Sequence, residues 1–102
     1  MHLRMRLPKS HRLHELPLVF KALSDPARLR TLIILAQKER NVGGLAEIEG
    51  DRIGTVSARL KVLLHARLVT RRRDGKTAIY SIADEHVLNL IENAVEHAGE
   101  HH

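Results

Sequence analysis

Residues 41–82 read NVGGLAEIEGDRIGTVSARLKVLLHARLVTRRRDGKTAIYSI, and the change of period inside this stretch decides the fold. Asn41-Val42-Gly43-Gly44 opens a short helix expected around 45–48, and Gly50 ends it, because glycine takes the left-handed conformation at a helix end without a Cβ clash. Over 54–66 the apolar residues Val56, Leu60, Leu63 and Leu64 return at intervals of three and four, the period of a helix with one buried face. A short helix, a tight turn and a longer helix is helix-turn-helix spacing. After Leu68 the period changes. Residues 68–73 and 76–82 contain the β-branched Val69, Thr70, Thr77, Ile79 and Ile82 and flank Asp74-Gly75, which predicts a hairpin closed by a two-residue type I′ turn. Its tip carries Arg71, Arg72, Arg73 and Lys76.

On the N-terminal side, Leu16, Val19, Phe20 and Leu23 recur at helical spacing and predict a helix over 13–22 with Pro17 near its start. Asp25 is placed to cap a second helix and Pro26 to open it, and that helix is expected to reach about Lys38 and bury Leu29, Leu32, Ile33 and Leu35. On the C-terminal side, Val87, Leu88, Ile91, Ala94, Val95 and Ala98 form an apolar stripe on a last helix from about Glu85. The fold class is therefore mainly α with one β-hairpin, a winged helix-turn-helix, in a single domain over 1–102. Residues 1–12 form a basic N-terminal segment and 99–102 a His-rich tail.

Composition removes several functions. The 102 residues contain no cysteine, which excludes a disulfide scaffold, a thiolate metal site and a cysteine nucleophile. One Phe, one Tyr and no Trp leave few rings to stack on unpaired bases. The longest apolar run, 32–36, falls far short of the roughly 20 residues that span a bilayer. The basic N-terminus is not followed by an apolar signal segment, so a cytoplasmic protein with no membrane partner is expected. The net charge of +5 is uneven: residues 52–76 hold eight Lys or Arg against Asp74 alone, whereas 77–102 hold five acids and no Lys or Arg. A basic stretch of that density suits the phosphates of double-stranded DNA. A solvated face has the same composition, and it is the second basic element next to the first that favours DNA.

In a helix-turn-helix the second helix lies in the major groove with its early residues at the base edges. Thr55, Ser57, Arg59 and Lys61 are the polar side chains at those positions, and Arg59 has the fork to pair with guanine. Arg71, Arg72, Arg73 and Lys76 suit a wing laid along the backbone or minor groove.

The run from Phe20 to Arg30 (FKALSDPARLR), then Thr55 to Leu63 (TVSARLKVL), then Leu68-Val69 and Arg73-Asp74-Gly75-Lys76 to Tyr80 resembles the ArsR/SmtB winged helix-turn-helix repressors over about residues 15–98. The resemblance implies a dimeric transcriptional repressor, with no catalytic residues and no small-molecule substrate, of a kind many of whose members leave their operators on binding a metal ion. Two departures concern the operator sequence, not the fold: Ala58-Arg59 occupies a segment where the family often has His, and Ile53-Gly54 stands where it has Ser or Gln. The cysteine-containing motif of the arsenic, cadmium and lead sensors is replaced by Asn41-Val42-Gly43-Gly44.

Asp84 and His86 begin the last helix, and His97 and Glu100, three apart, share a face near its end. At 1.5 Å per residue the two histidines lie about 16 Å apart along a straight helix, so one chain cannot wrap one ion with all four. If two copies of the helix pair antiparallel along Val87, Leu88, Ile91 and Val95, the Asp84 and His86 of one chain meet the His97 and Glu100 of the other, giving two equivalent sites per dimer. Two imidazoles and two carboxylates suit tetrahedral zinc or cobalt, and nickel prefers more ligands. The spacing Asp-x-His then His-x-x-Glu resembles the zinc-sensing branch of the family. The same residues also fit an N-cap Asp and ordinary surface His and Glu. The expectation is a homodimer, joined through its terminal helices, that binds operator DNA metal-free and releases it with zinc. The alternatives are a nickel or cobalt sensor that recruits His101, His102 or the N-terminus, and a DNA-binding regulator with no metal inducer.

Overall fold

The structure, a computed structural model, describes residues 5–100 apart from the side chain of His11. Five helices and three short strands follow one another: α1 Ser10–Leu23, α2 Pro26–Gln37, β1 Arg40–Asn41, α3 Val42–Glu49, α4 Ile53–His65, β2 Val69–Asp74, β3 Thr77–Ile82 and α5 Glu85–Gly99. The helix-turn-helix and the hairpin are where the sequence puts them. The two histidines at 101 and 102 invoked for a nickel site lie outside the described residues.

The break between α1 and α2 is chemically specified. Pro26 starts α2, and Asp25 accepts a hydrogen bond from the Arg28 amide at 2.9 Å, as an N-cap does. Arg28 then turns back, donating from Nε to the Ala22 carbonyl at 2.9 Å and from Nη2 to that of Lys21 at 3.0 Å. One arginine thus satisfies the open end of α1 while its own amide is capped in α2. Helix α1 runs through Pro17, which lies well inside it and not near its start.

Leu32, Leu45, Val56, Leu60, Leu63 and Leu68 are fully buried and form the centre of the core, joined by Ala22, Tyr80 and Ile91. At roughly 1.5–3 kcal/mol for each buried aliphatic side chain, this cluster holds α2, α3 and α4 against the hairpin. In α2 the buried set is Thr31, Leu32, Ile34 and Leu35. The expected Leu29 and Ile33 are only half-buried, because the face is set by where α3 and the sheet lie.

The sheet has one strand more than the sequence predicts. Strand order is β1-β3-β2, all antiparallel, with Arg40 opposite Tyr80 and Asn41 opposite Ile79. Two residues are too few to show a period. The hairpin turn also differs from the expected one. Asp74 pairs with Thr77, so the two loop residues are Gly75 and Lys76, and only Gly75 has positive φ, at 64°. Glycine first with a normal second residue is the pattern of a II′ turn, not I′.

Helix α4 ends without glycine. The amides of Arg67 and Leu68 donate to the carbonyls of Leu64 and Leu63, both at 3.0 Å, and Arg67 has φ 60°. This is a Schellman end with arginine in the left-handed position, and Leu63 and Leu68, the two positions that are apolar at such ends, are both buried in the core. Among the described residues no helix is long and apolar enough to cross a membrane.

Candidate nucleic-acid interface

The turn between α3 and α4 is held from inside. The Asn41 side chain caps α3 by accepting from the Gly44 amide at 2.7 Å; a Cβ on Gly44 would sit 3.2 Å from that same oxygen. At the other end Gly50 takes φ 68° and sends the chain to Asp51. Behind this turn lies a network of charges. The Glu49 side chain is 0% exposed; Arg59, 9% exposed, donates from Nη1 to Glu49 Oε1 and from Nη2 to Asp51 Oδ2, each at 3.1 Å. Arg30 donates to the same Glu49 oxygen at 3.1 Å, and the hydroxyl of buried Thr31 lies 2.9 Å from Glu49 Oε2. A buried carboxylate is tolerated only when paired and hydrogen-bonded, and here two guanidinium groups and a hydroxyl do so.

Arg59, whose position in the sequence suggests a base reader, is engaged within the chain in this structure. Its guanidinium points into the protein and ties α4 to the end of α3 and to α2. Its helical neighbour Leu60 is fully buried, so position 59 lies at the margin of the inward face, where the two acids of the turn capture it.

The opposite face of α4 is open. Gly54, Thr55, Ala58, Lys61 and Val62 are exposed along it, with Arg52 and Ile53 at its start; Ser57 is half-buried. Arg52 precedes the helix expected from the sequence, yet as the N-cap residue with no capping hydrogen bond from its side chain it stands exposed beside the first turn of α4.

The wing presents Arg71, Arg72, Arg73 and Lys76, all exposed, but not equally. Arg72 is held by Glu39 in a two-pronged ion pair, Nη1 to Oε2 at 2.6 Å and Nη2 to Oε1 at 2.7 Å. Ser81 donates to the same carboxylate at 3.1 Å. The hydrogen bonds from Arg72 first, and then Ser81, hold the Glu39 carboxyl below its ordinary value. Arg73 donates to the Lys76 carbonyl at 3.4 Å. Because successive strand residues face opposite ways, Arg71 and Arg73 share one face of β2 and Arg72 lies on the other.

In α5, Asp84 is the N-cap and accepts from the Val87 amide at 3.0 Å through Oδ1. His86 is exposed in the first turn, His97 is exposed in the last, and Glu100 is the exposed C-cap. Among the described residues no three His, Asp or Glu gather within one chain to hold a metal. The apolar stripe of α5 is divided: Ile91 is buried and Val87 packs against the core of its own chain, while Leu90, on the side of Leu18 of α1, and Val95, on the side of Ile33 and Ala36 of α2, stay exposed, as do Leu16 and Phe20. The stripe expected to pair two copies thus serves partly to fix α5 on its own domain.

Residues 25–71 match the family described as bacterial regulatory protein, arsR family. The HTH-type transcriptional regulator KmtR of Mycobacterium tuberculosis is 45% identical over 79% of this chain and 65% of its own length. The transcriptional repressor SmtB homolog of Synechocystis is 42% identical over 79% of this chain and 61% of its own length. The cadmium resistance transcriptional regulatory protein CadC homolog of Staphylococcus aureus is 37% identical over 80% and 69%. The chain thus spans a little under two thirds of KmtR and of the SmtB homolog. Among solved structures, the homodimeric winged helix-turn-helix DNA-binding domain of Mb0332 from Mycobacterium bovis, a possible ArsR-family regulator, superposes with a TM-score of 0.87 at 36% identity, covering 98% of this chain and 93% of that one. These relatives are transcriptional regulators, not enzymes. By the shared helix-turn-helix, wing and sequence, the chain belongs to the arsR family of bacterial regulatory proteins.

Proposed function

We propose that this protein is a homodimeric repressor that holds double-stranded operator DNA while metal-free and releases it on binding zinc, with cobalt as a substitute. The observation that carries the DNA reading is the open face of α4, braced from behind by the Glu49–Arg59–Asp51 network and flanked by the wing. Thr55, Ser57 and Lys61 face the major groove in this reading, and Arg71, Arg73 and Lys76 take backbone phosphates. Arg72 reaches a phosphate only by leaving Glu39. The exposed Leu16, Leu18, Phe20, Leu90 and Val95 form the self-association face, in line with the homodimeric Mb0332 domain.

The effector reading rests on donor chemistry at the two ends of α5. The second oxygen of Asp84 is not used in the cap, and His86, His97 and Glu100 are exposed, so one oxygen–nitrogen pair stands at each end of the helix. With no three potential ligands together within one chain among the described residues, these four would hold an ion only across two copies. Zinc would supply a fixed four-ligand tie between the two α5 helices. The name of the CadC homolog, a cadmium resistance regulator, supports a metal effector in this branch of relatives.

Fluorescence anisotropy on DNA from upstream of the gene, in chelator and then with excess zinc at fixed salt, tests both parts. Tight binding that collapses with zinc is expected, and His97→Ala should keep the binding and lose the response. Linkage requires DNA to weaken zinc binding by the same factor. Tight binding indifferent to zinc leaves a regulator without a metal inducer or with a different one.

A further inference from the structure

Resting on the operator reading above, we propose that α4 selects its half-site through the 5-methyl groups of thymine and not through arginine–guanine pairs. The one arginine within α4, Arg59, is 9% exposed and occupied by Glu49 and Asp51. What remains outward on the first two turns is methyl-bearing: Ile53 is 60% exposed, and Thr55 and Ala58 are exposed after it, with Ser57 half-buried. In the major groove thymine presents a methyl group, and small apolar or threonine side chains are its recognition partners. A large β-branched residue left mostly in water at the first position of a helix gains little from the fold, whereas against a thymine methyl its remaining surface is removed from water.

Gly54 supports the same geometry. It lies in the first turn of α4, its φ is not in the left-handed region, and a Cβ built there meets nothing within 4 Å. Neither turn geometry nor packing within the chain demands glycine at this point, where alanine would favour the helix. A missing side chain on the outward face lets the helix backbone approach the floor of the groove, which brings short side chains such as Ala58 within reach of methyl groups. The charged residues fit this division of labour. Lys61 and Arg52 border the apolar strip, and Arg71, Arg73 and Lys76 stand on the wing, so positive charge flanks a methyl-reading centre and matches a duplex whose phosphates flank its base edges.

The test starts from random-sequence duplex DNA, from which the full-length protein in chelator selects its preferred sites. Each thymine of the selected half-site is then replaced by deoxyuridine, which lacks only the methyl group, and each guanine by 7-deazaguanine, which lacks the N7 acceptor. Affinities are read by anisotropy at one salt concentration. Loss of about threefold to fivefold per methyl removed at two or more thymines is expected, the scale of burying one such group, and Ile53→Ala should abolish the sensitivity at one thymine of each half-site. Gly54→Ala should keep or raise thermal stability while weakening selected DNA more than random DNA. Indifference to deoxyuridine together with loss on 7-deazaguanine overturns the proposal and leaves operator binding intact. Failure to select any sequence above random overturns the operator reading itself, and this inference with it.

Discussion

Removing the Arg59 side chain leaves the Glu49 carboxylate, 0% exposed, with only the half-exposed Arg30 and a threonine hydroxyl as partners. Breaking one arm of a buried pair costs about 3 kcal/mol or more, so Arg59→Ala should lower the urea midpoint strongly at unchanged slope. Arg30→Ala, on the solvent side of the same carboxylate, should cost less than about 1 kcal/mol. Equal effects of the two would show that the network is not the brace of the turn. Arg67 makes the opposite prediction. Its φ of 60° carries a steric penalty of roughly 1–2 kcal/mol for any residue with a Cβ. Arg67→Gly should recover about 1 kcal/mol of it and raise Tm by several degrees, read by calorimetry.

At the scale of elements, the wing and the start of the sheet are tied by Glu39. Its carboxyl is lowered by Arg72 and Ser81, so its contribution is complete above the ordinary value of 4.5 and is lost as pH falls through the lower folded value. The tether is intact at neutral pH, and the stability difference between the parent protein and Glu39→Gln should shrink only in acid. A persistent difference at pH 2 would mean that the charge of Glu39 is not what holds the wing. At neutral pH the same substitution frees Arg72 for a phosphate. The logarithmic salt dependence of DNA binding should then steepen by about 1. An unchanged slope would indicate that Arg72 already leaves Glu39 in the complex.

For the whole molecule, self-association decides whether two recognition helices and two ion sites exist. Val95 is 53% exposed and Phe20 60% exposed, so a charge at either does not disturb the core of the single chain. Val95→Glu should keep the thermal melt near that of the parent and yield monomers in sedimentation. Because each proposed ion site draws on two chains, the monomer should also lose zinc binding and the tighter, two-half-site part of DNA affinity. A Val95→Glu protein that stays dimeric would place the interface elsewhere.

The helix-turn-helix, its Gly50 stop, the Asp25-Pro26 start and the hairpin were all legible in the sequence, because each is written in local periodicity or in a residue with one conformational use. Local chemistry also marks Asp84 as a cap. The third strand was not legible, because Arg40 and Asn41 acquire strand character only by pairing with Tyr80 and Ile79. Nor was the hairpin register, since Asp74-Gly75 and Gly75-Lys76 are both good turns and the pairing of Asp74 with Thr77 chooses between them. Most consequential for the site is Arg59. Its helical position follows from the pattern of leucines, but the direction of its guanidinium depends on Glu49 and Asp51 arriving across the turn and on Thr31 lying behind them. Sequence by itself determined which elements form and where positive charge accumulates, because those are sums over near neighbours. Tertiary structure alone decided which arginines are spent inside the protein and which face outward, because an ion pair depends on the meeting of residues that the chain keeps apart.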